Sequence, residues 1–518
     1  MQSASPEQVS IPKLFLERGI ILTEEAYAKF LGDAVDMDSI SEFLDQLEGT
    51  DKAFVTKDDY EDYFYPRFEG NGDRGSSDES SSSLQWKQRG NAPQESHASK
   101  HFPAKDVAPD IRIITDVAGK GESEGTFEDF YSLFSDRYRK LSRIFKEHAE
   151  FRNYTSIKDA KRMELKSNVT VVGMVQDKSY TKNNNLMLEI EDMSGHIKAL
   201  VSFNKERLME RAKYIVRDEI IAFSGALGED IIFVNDFAFP DIAVGRQRNQ
   251  SPDDVNAIFT SDIHVGSNEF VDKAFLRFIK WLRQEKGNSR QQELASKVKY
   301  LVVCGDVVDG VGIYPNQQKE LSITDIYDQY KKTAELLAYV PDWIEIIVSP
   351  GNHDATRSGN PQFPIPEAFA HELYEMDNVH MVSNPSFFSL HGVKCLAYHG
   401  DSIFDFLSQV PGFHLDDPIA PMTEMLRKRH LAPVYGMGTQ IVPEPKDYLC
   451  IDEPPDIFQT GHTHMNGNGS YRGTTLINSG GWQAQTSFQK MRNITPDVAK
   501  VPIMNLHDHK LVVMNFGD

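Results

Sequence analysis

Cysteine is scarce in this chain: three residues among 518, at Cys304, Cys395 and Cys450. They lie far apart, two of them in apolar strand-like runs, so neither a disulfide framework nor a Cys-based metal site is expected; buried thiols in a reducing compartment are. Long apolar runs are missing as well. None approaches the roughly 18–20 residues that span a bilayer, which excludes a membrane-spanning helix. The first residues, Met1-Gln2-Ser3-Ala4-Ser5-Pro6-Glu7, carry neither a basic cluster nor an apolar stretch, so no signal peptide is visible and a cytoplasmic protein is expected. Positive charge is in deficit: 55 Lys and Arg face 77 Asp and Glu, a formal net charge of −22. A domain that grips nucleic acid unaided is usually basic. Either the substrate is not a polymer or another subunit supplies most of the electrostatic grip.

What is present divides the chain, which at 518 residues exceeds one ordinary core. Residues 1–66 are expected to form a small helical interaction domain. Thr23 before Glu24 and Glu25 is a helix start, Tyr27, Phe30 and Leu31 share one face, and Ile40, Phe43, Leu44 and Leu47 recur at helical spacing before Gly49. Residues 67–107 turn Ser-, Gly- and Asp-rich, with too little apolar surface to offset the cost of ordering, and are expected to be a disordered linker. Residues 108–160 are expected as a connecting helical segment. There Phe127, Phe130, Tyr131, Phe134, Tyr138, Leu141 and Phe145 trace an amphipathic helix whose other face carries Arg137, Arg139, Lys140, Arg143 and Lys146. That basic face suits either solvent or a phosphate backbone.

Residues 161–248 read as strands: Val169–Val175, Leu186–Glu191, Ile197–Phe203, Glu219–Gly225 and Asp230–Val234, with a helix expected near Lys205, Glu206 and Arg207. Five short strands with a helix between the third and fourth are the pattern of an OB-fold barrel. Few aromatics lie on them, so a scaffold role competes with single-strand binding.

Residues 249–518 alternate strand and helix, and their apolar runs end on chemistry. Ala257-Ile258-Phe259-Thr260 precedes Asp262-Ile263-His264, and Tyr300 to Cys304 precedes Gly305-Asp306-Val307-Val308-Asp309. Ile344 to Val348 precedes Gly351-Asn352-His353-Asp354, and Cys395 to Tyr398 precedes His399-Gly400-Asp401. Ile457-Phe458-Gln459 precedes Gly461-His462-Thr463-His464, with Asn478-Ser479-Gly480 beyond. Near-continuous apolar runs are strands buried on both faces, and ligands just after them collect at the carboxyl ends of a sheet. Imidazole and carboxylate ligands in such numbers suit a pair of divalent metal ions, manganese first, with iron or zinc as alternatives to it and magnesium or calcium less suited. Asp306 is the candidate bridge. Asp262, His264 and His464 would complete one metal, and Asn352, His399 and His462 the other. His353 is the candidate catalytic residue, placed to protonate a leaving oxygen or steady charge on a phosphate. Asp309 and Asp354 would orient ligands, and Arg357 and Arg472 are candidate phosphate clamps. His391, His414, His430, His507 and His509 lack this context and are expected to be ordinary residues.

These segments resemble the calcineurin-like metallophosphoesterase superfamily. The runs Pro350-Gly351-Asn352-His353-Asp354-Ala355-Thr356-Arg357, Thr460-Gly461-His462-Thr463-His464-Met465-Asn466-Gly467 and Tyr471 to Thr486 extend the resemblance to the polymerase B-subunit family, and within it to the small subunits of archaeal family-D DNA polymerases. It covers roughly residues 125–518. The resemblance implies an α/β fold: a metallophosphoesterase β-sandwich flanked by helices, preceded by the OB-fold barrel and the N-terminal helical domain. It also implies a two-metal 3′→5′ exonuclease that proofreads a DNA 3′ end for a separate large catalytic subunit. On that reading the partner explains the acidic charge, and the N-terminal domain is free to meet a sliding clamp or a primase, with no membrane involved. A non-catalytic scaffold subunit, a stand-alone DNA-repair nuclease and a phosphoprotein or nucleotide phosphatase are the competing readings.

Overall fold

A computed structural model describes residues 102–517 apart from 120 and 122, and before them Ile21–Leu22, Ile40, Phe43 and Phe54–Val55. The chain divides into two compact units, Met1–Ser96 and His97–Asp518. In the first, β1 (Ile21–Leu22) and β2 (Phe54–Val55) pair in parallel, while Ile40 and Phe43 are helical and buried. The strand pair is an addition to the helical expectation for 1–66. The expected face of Tyr27, Phe30 and Leu31, and Leu44 and Leu47, lie outside the described residues, as do residues 67–101 of the expected linker.

In the larger unit residues 102–107, expected within the linker, are ordered. Apolar side chains are the reason: Phe102 packs on Trp343 with ring centroids 4.7 Å apart, Ala104 is buried in the 3-10 turn Pro103–Lys105, and Val107 joins the core between the sheets. The segment 108–160 is also not purely helical, because β3 (Ile111–Thr115) is a strand. The long helix Phe127–Ile144 follows, opened by a capping box in which Thr126 and Asp129 exchange side-chain and backbone bonds.

That helix corrects the expected basic face. Arg137 is fully buried: its Nε donates to Asp447 Oδ2 at 2.7 Å and its Nη1 to the carbonyls of Pro433 and Asp218. Lys140 Nζ is likewise engaged by the Asp447 carbonyl at 2.8 Å and by Asp136. Two of the five cations thus clamp the helix to its own unit, and they are not available to a polyanion. Conversely Phe127 and Tyr131, placed on the apolar face, are exposed; of that face Leu141 and Phe145 are fully buried, as is Leu133, which the expected face did not include.

Next come β4 (Asn168–Tyr180), β5 (Leu186–Asp192), β6 (Gly195–Val201), β7 (Ile220–Leu227) and β8 (Ile231–Ala238), closed into a barrel in the order β4-β5-β6-β8-β7. The helix Glu206–Ala212 lies between the third and fourth strands. β4 is long enough to pair with both β5 and β7, bending at a register shift between Val175 and Asp177. Alternate residues such as Val169, Val171, Leu186, Leu188 and Ile190 fill the interior, while Val172, Met174, Ile220 and Ala222 face outward onto Leu141 and Phe145 of the long helix.

The rest is a two-sheet sandwich. Its strands are β9 (Asn256–Thr260), β10 (Val298–Cys304), β11 (Glu345–Ser349), β12 (Val379–Met381), β13 (Ser386–Leu390), β14 (Val393–Ala397), β15 (Ile457–Thr460), β16 (Gly467–Tyr471), β17 (Thr474–Asn478), β18 (Lys500–Asn505) and β19 (Leu511–Asn515). One sheet has the order β12-β11-β10-β9-β18-β19 and the other β16-β17-β15-β14-β13-β3. Within them β9 to β12 run parallel, as do β14, β15 and β17. Period-2 alternation builds two cores from one strand. Ala257, Phe259, Val302 and Cys304 meet Phe388, Cys395, Ile457 and Ile477 between the sheets. Ile258, Leu301, Val303 and Ile346 face the helices Asp272–Leu282 and Ile326–Leu337 outside. All three cysteines are free and buried. Among the described residues no helix is long and apolar enough to cross a membrane.

Candidate metal centre

The carboxyl ends of β9, β10, β11, β14, β15 and β17 converge, and each hands over one short loop of polar side chains. Backbone bonds sew these loops together: Asp262 N–H to the Gly305 carbonyl at 2.9 Å, His264 to Asp306 at 3.0 Å, and Gly461 to His399 at 2.8 Å. The backbone itself is unusual here. Asp262, His264, Asp306, His462 and His464 all have φ between 49° and 65°, a left-handed conformation that non-glycine residues rarely adopt and that clusters at functional sites. Glycine next to them is required by space: a Cβ on Gly351 would run into Asp306 Oδ1, and one on Gly305 into the His399 ring.

These turns bring the sequence-nominated residues into one cluster. Donor atoms of Asp262, His264 and His464 lie within 4.8 Å of one another, as do those of Asp306, His399 and His462, and a third such group joins His264, Asp306 and His353. Asp306 is common to the last two of these groups and His264 to the first and third. Its Oδ2 is 3.3 Å from His399 Nε2 and 3.6 Å from His264 Nε2. His264 Nε2 lies 3.1 Å from His464 Nε2, His464 Nε2 3.4 Å from Asp262 Oδ1, and His399 Nε2 3.1 Å from Asn352 Oδ1. Two donors on the same cation, each bonded at 2.0–2.2 Å, sit about 3.0–3.5 Å apart; four of these spacings fall in that range and the 3.6 Å from Asp306 to His264 lies just beyond it.

The remaining ring nitrogens are held by acceptors that decide the tautomer. His399 Nδ1 bonds the Cys304 carbonyl at 3.0 Å, and His264 Nδ1 bonds Asp309 Oδ1 at 3.0 Å, so in both rings the Nε2 lone pair is left to the cluster. Asp309 is itself fixed by Gln317 and Gln483. Asp354 takes a different position: it accepts from the amides of Gly351, Val307 and Val308 and from the Tyr330 hydroxyl, tying the loop after β11 to the loop after β10. His353 donates from Nδ1 to the Asp309 carbonyl at 2.7 Å, and its amide donates to Asp306 Oδ1 at 2.8 Å.

Charge and burial act together. Asp262, His264, Asp306 and His399 are buried, whereas Asn352, His353 and His462 are half-buried and form the mouth. Burial pushes the Asp306 carboxyl up, but His399, His353 and His264 outweigh it and hold it well below the usual carboxylate range. His353 is lowered by burial and raised further by the Asp306 and Asp309 carboxylates, with a net rise. Burial, then the neighbouring Asp306 charge, moves Asp354 up to about 6. Among the described residues, none of the hydrogen bonds or ion pairs of Asp262, Asp306 and Asp309 is to Lys or Arg. Buried carboxylates are normally paired with a cation. The donor set therefore fits divalent metal ions.

The family model for the B-subunit of DNA polymerases alpha and epsilon matches residues 257–466. The DNA polymerase II small subunit of Methanothermobacter thermautotrophicus is 39% identical over 403 residues, 78% of this chain and 83% of that protein. That of Archaeoglobus fulgidus is 41% identical over 395 residues, covering 76% and 78%. The chain belongs to the DNA polymerase II small-subunit family. Against the Pyrococcus horikoshii small subunit it is 42% identical over 404 residues, and there it spans 65% of the longer protein.

In this small-subunit family member both expected phosphate clamps are otherwise occupied. Arg357 is held by Glu444 at 2.6 Å and by the Pro361 carbonyl, with its guanidinium over the Phe363 ring. Arg472 sits at the β16–β17 turn, about 17 Å of strand from the ligand end of that hairpin. It pairs with Asp241 at 3.0 Å and donates to the Ile242 carbonyl. The clamp expectation for Arg472 is withdrawn. Gln317, Gln483 and Gln489, the last beside His464 Nδ1, are further polar groups around the cluster that had no assigned role, and Asn478, named with the ligand segments, holds Thr463 and the Met465 carbonyl. Asn478 and Gln483 lie in segments already noted, but an amide carries no spacing signal of its own. Of the histidines set aside, His507 and His509 bond the carbonyls of Ser251 and Asn249 at a turn, whereas His430 bonds the buried Asp447 and with it and Cys450 forms a further group of potential ligand atoms within 4.8 Å of one another, away from the cluster of Asp306.

Proposed function

We propose that this chain is the proofreading small subunit of an archaeal replicative DNA polymerase, a two-metal 3′→5′ exonuclease. On this reading the sandwich is a calcineurin-like phosphoesterase, the closed barrel an OB-fold, and the partner a large catalytic subunit. The observation that supports it most is Asp306, whose Oδ2 lies 3.3 Å from His399 and 3.6 Å from His264, one member of each proposed ligand group. Asp262, His264 and His464 would hold one divalent cation and Asn352, His399 and His462 the other, with manganese the first candidate. When bound, two such cations supply a nucleophilic water at neutral pH and neutralise charge developing on a phosphodiester.

The chain's own residues do the rest. His353 stands half-buried at the mouth, its Nδ1 proton engaged by the Asp309 carbonyl, which leaves Nε2 to give a proton to the departing 3′ oxygen or to bond a phosphate oxygen. Asp309 holds His264 in the tautomer that presents its Nε2 lone pair. Selectivity needs no base reading by this subunit, because a mismatched end frays at lower cost than a matched one. The acidic surface is then consistent with a partner that holds the duplex. The test is digestion of a 3′-mismatched primer by the heterodimer in manganese, with His353→Ala and Asp306→Ala small subunits alongside. Wild-type digestion that both variants lose supports the reading; wild type and variants behaving alike would sink it and leave a scaffold.

A further inference from the structure

Two exposed aromatic rings stand at opposite ends of the cluster. Tyr314 lies against His353, ring centroids 6.4 Å apart and steeply inclined at 64°. Phe404 lies against His462 at 5.3 Å and 85°. His353 and His462 are the half-buried members at the mouth, one in the group with His264 and Asp306, the other in the group with Asp306 and His399. A phosphate brought to Asp306 would therefore have these two rings behind the histidines that flank it.

Neither ring is exposed because the fold needs it so. Phe404 is 43% exposed on the short helix Ile403–Gln409, whose Ile403 and Phe406 already make the core contacts. Tyr314 is 36% exposed on a loop that also turns Val311 and Ile313 to the surface. That loop is rooted in the centre. Gln317 bonds Asp309 through both its carbonyl and its carboxylate, and the Ile313 amide donates to Gln317. The Tyr314 hydroxyl bonds Glu320 at 2.9 Å, which fixes the ring's attitude. A pre-set aromatic face attracts any nucleobase that has left its helix and offers nothing to a phosphate alone.

We propose that Tyr314 and Phe404 are stacking platforms for the unpaired nucleobases on either side of the phosphodiester that the centre cuts. This rests on the nuclease reading and extends it: the substrate class is a single-stranded end, recognised by its bases without regard to their identity. The rings select for a frayed end, since paired and stacked bases cannot reach them.

The experiment uses the full chain, with and without its large subunit, in manganese. Two single-stranded oligonucleotides are compared, identical except that one lacks the bases of its last two nucleotides. The wild type is expected to favour the base-bearing end in kcat/KM by roughly 5- to 150-fold per stacked base. In Tyr314→Ala and Phe404→Ala that preference should collapse toward unity, and Tyr314→Phe and Phe404→Tyr should restore it. A preference kept by both alanine variants overturns the proposal, as does an equal loss on both oligonucleotides, which leaves the ratio intact. Loss of large-subunit capture with the ratio unchanged also overturns it and makes the rings a protein contact. If the wild type cuts neither oligonucleotide, the nuclease reading itself fails, and the proposal with it.

Discussion

Substituting Asp306 by asparagine separates holding cations from doing chemistry. Asparagine preserves shape but removes the negative charge whose Oδ2 lies 3.3 Å from His399 and 3.6 Å from His264, so both proposed ligand groups lose the carboxylate that adjoins them. A ligand that binds only the native state stabilises it by about 2.7 kcal/mol when present at about 100 times its Kd. The larger unit runs from His97 to Asp518. For a unit of that size unfolding entropy converts each kcal/mol into about 1–2 °C of Tm. Metal-stripped wild type should therefore gain about 3–5 °C in differential scanning calorimetry when manganese is restored, and Asp306→Asn should gain almost nothing. His353→Ala should keep the full gain while losing hydrolysis, because its Nδ1 serves the Asp309 carbonyl and its role lies at the mouth. An undiminished gain in Asp306→Asn would refute the shared-carboxylate argument. A gain lost in His353→Ala would make that residue a ligand and leave the centre without its assigned proton donor.

Asp309→Ala removes the acceptor that orients His264 and should shift the manganese midpoint of activity upward by about 10- to 100-fold, since partners of metal-bound histidines carry effects of that size. Arg137→Met leaves the buried Asp447 carboxylate with only His430 and the Leu449 amide and should lower stability by about 3–5 kcal/mol in urea denaturation, with the catalytic residues untouched. Arg472→Ala, at the far end of its hairpin and paired with Asp241, should leave oligonucleotide hydrolysis within about 2-fold of wild type by the tenfold-per-1.4 kcal/mol scale; a loss of 10-fold or more would reinstate it as a phosphate contact.

Much of the sandwich was legible because buried parallel strands leave a plain trace. Tyr300 to Cys304 is an uninterrupted apolar run because one parity faces the other sheet and the opposite parity faces helices, and the run stops where Gly305 and Asp306 must turn. The barrel was legible for a similar reason, with Leu186, Leu188 and Ile190 alternating inward. What escaped was long-range. Ile111–Thr115 has the β-branched look of a strand, yet its partner β13 comes only at Ser386–Leu390, so a reading by local segments merged it into a helical connector. Arg137 belongs by spacing to a basic helix face, and only the fold shows that Asp447, 310 residues on, takes it into the interior. The left-handed turns at Asp262, His264 and Asp306 have no local signature at all, because those side chains are tolerated there only while the converging loops hold them.

The most direct measurement is anomalous diffraction from a crystal of the chain grown with manganese and collected at the manganese edge. The account predicts two peaks about 3.5–4 Å apart, bridged by Asp306, with Asp262, His264 and His464 around one and Asn352, His399 and His462 around the other. A single peak, or a pair in which Asp306 touches only one, would contradict it.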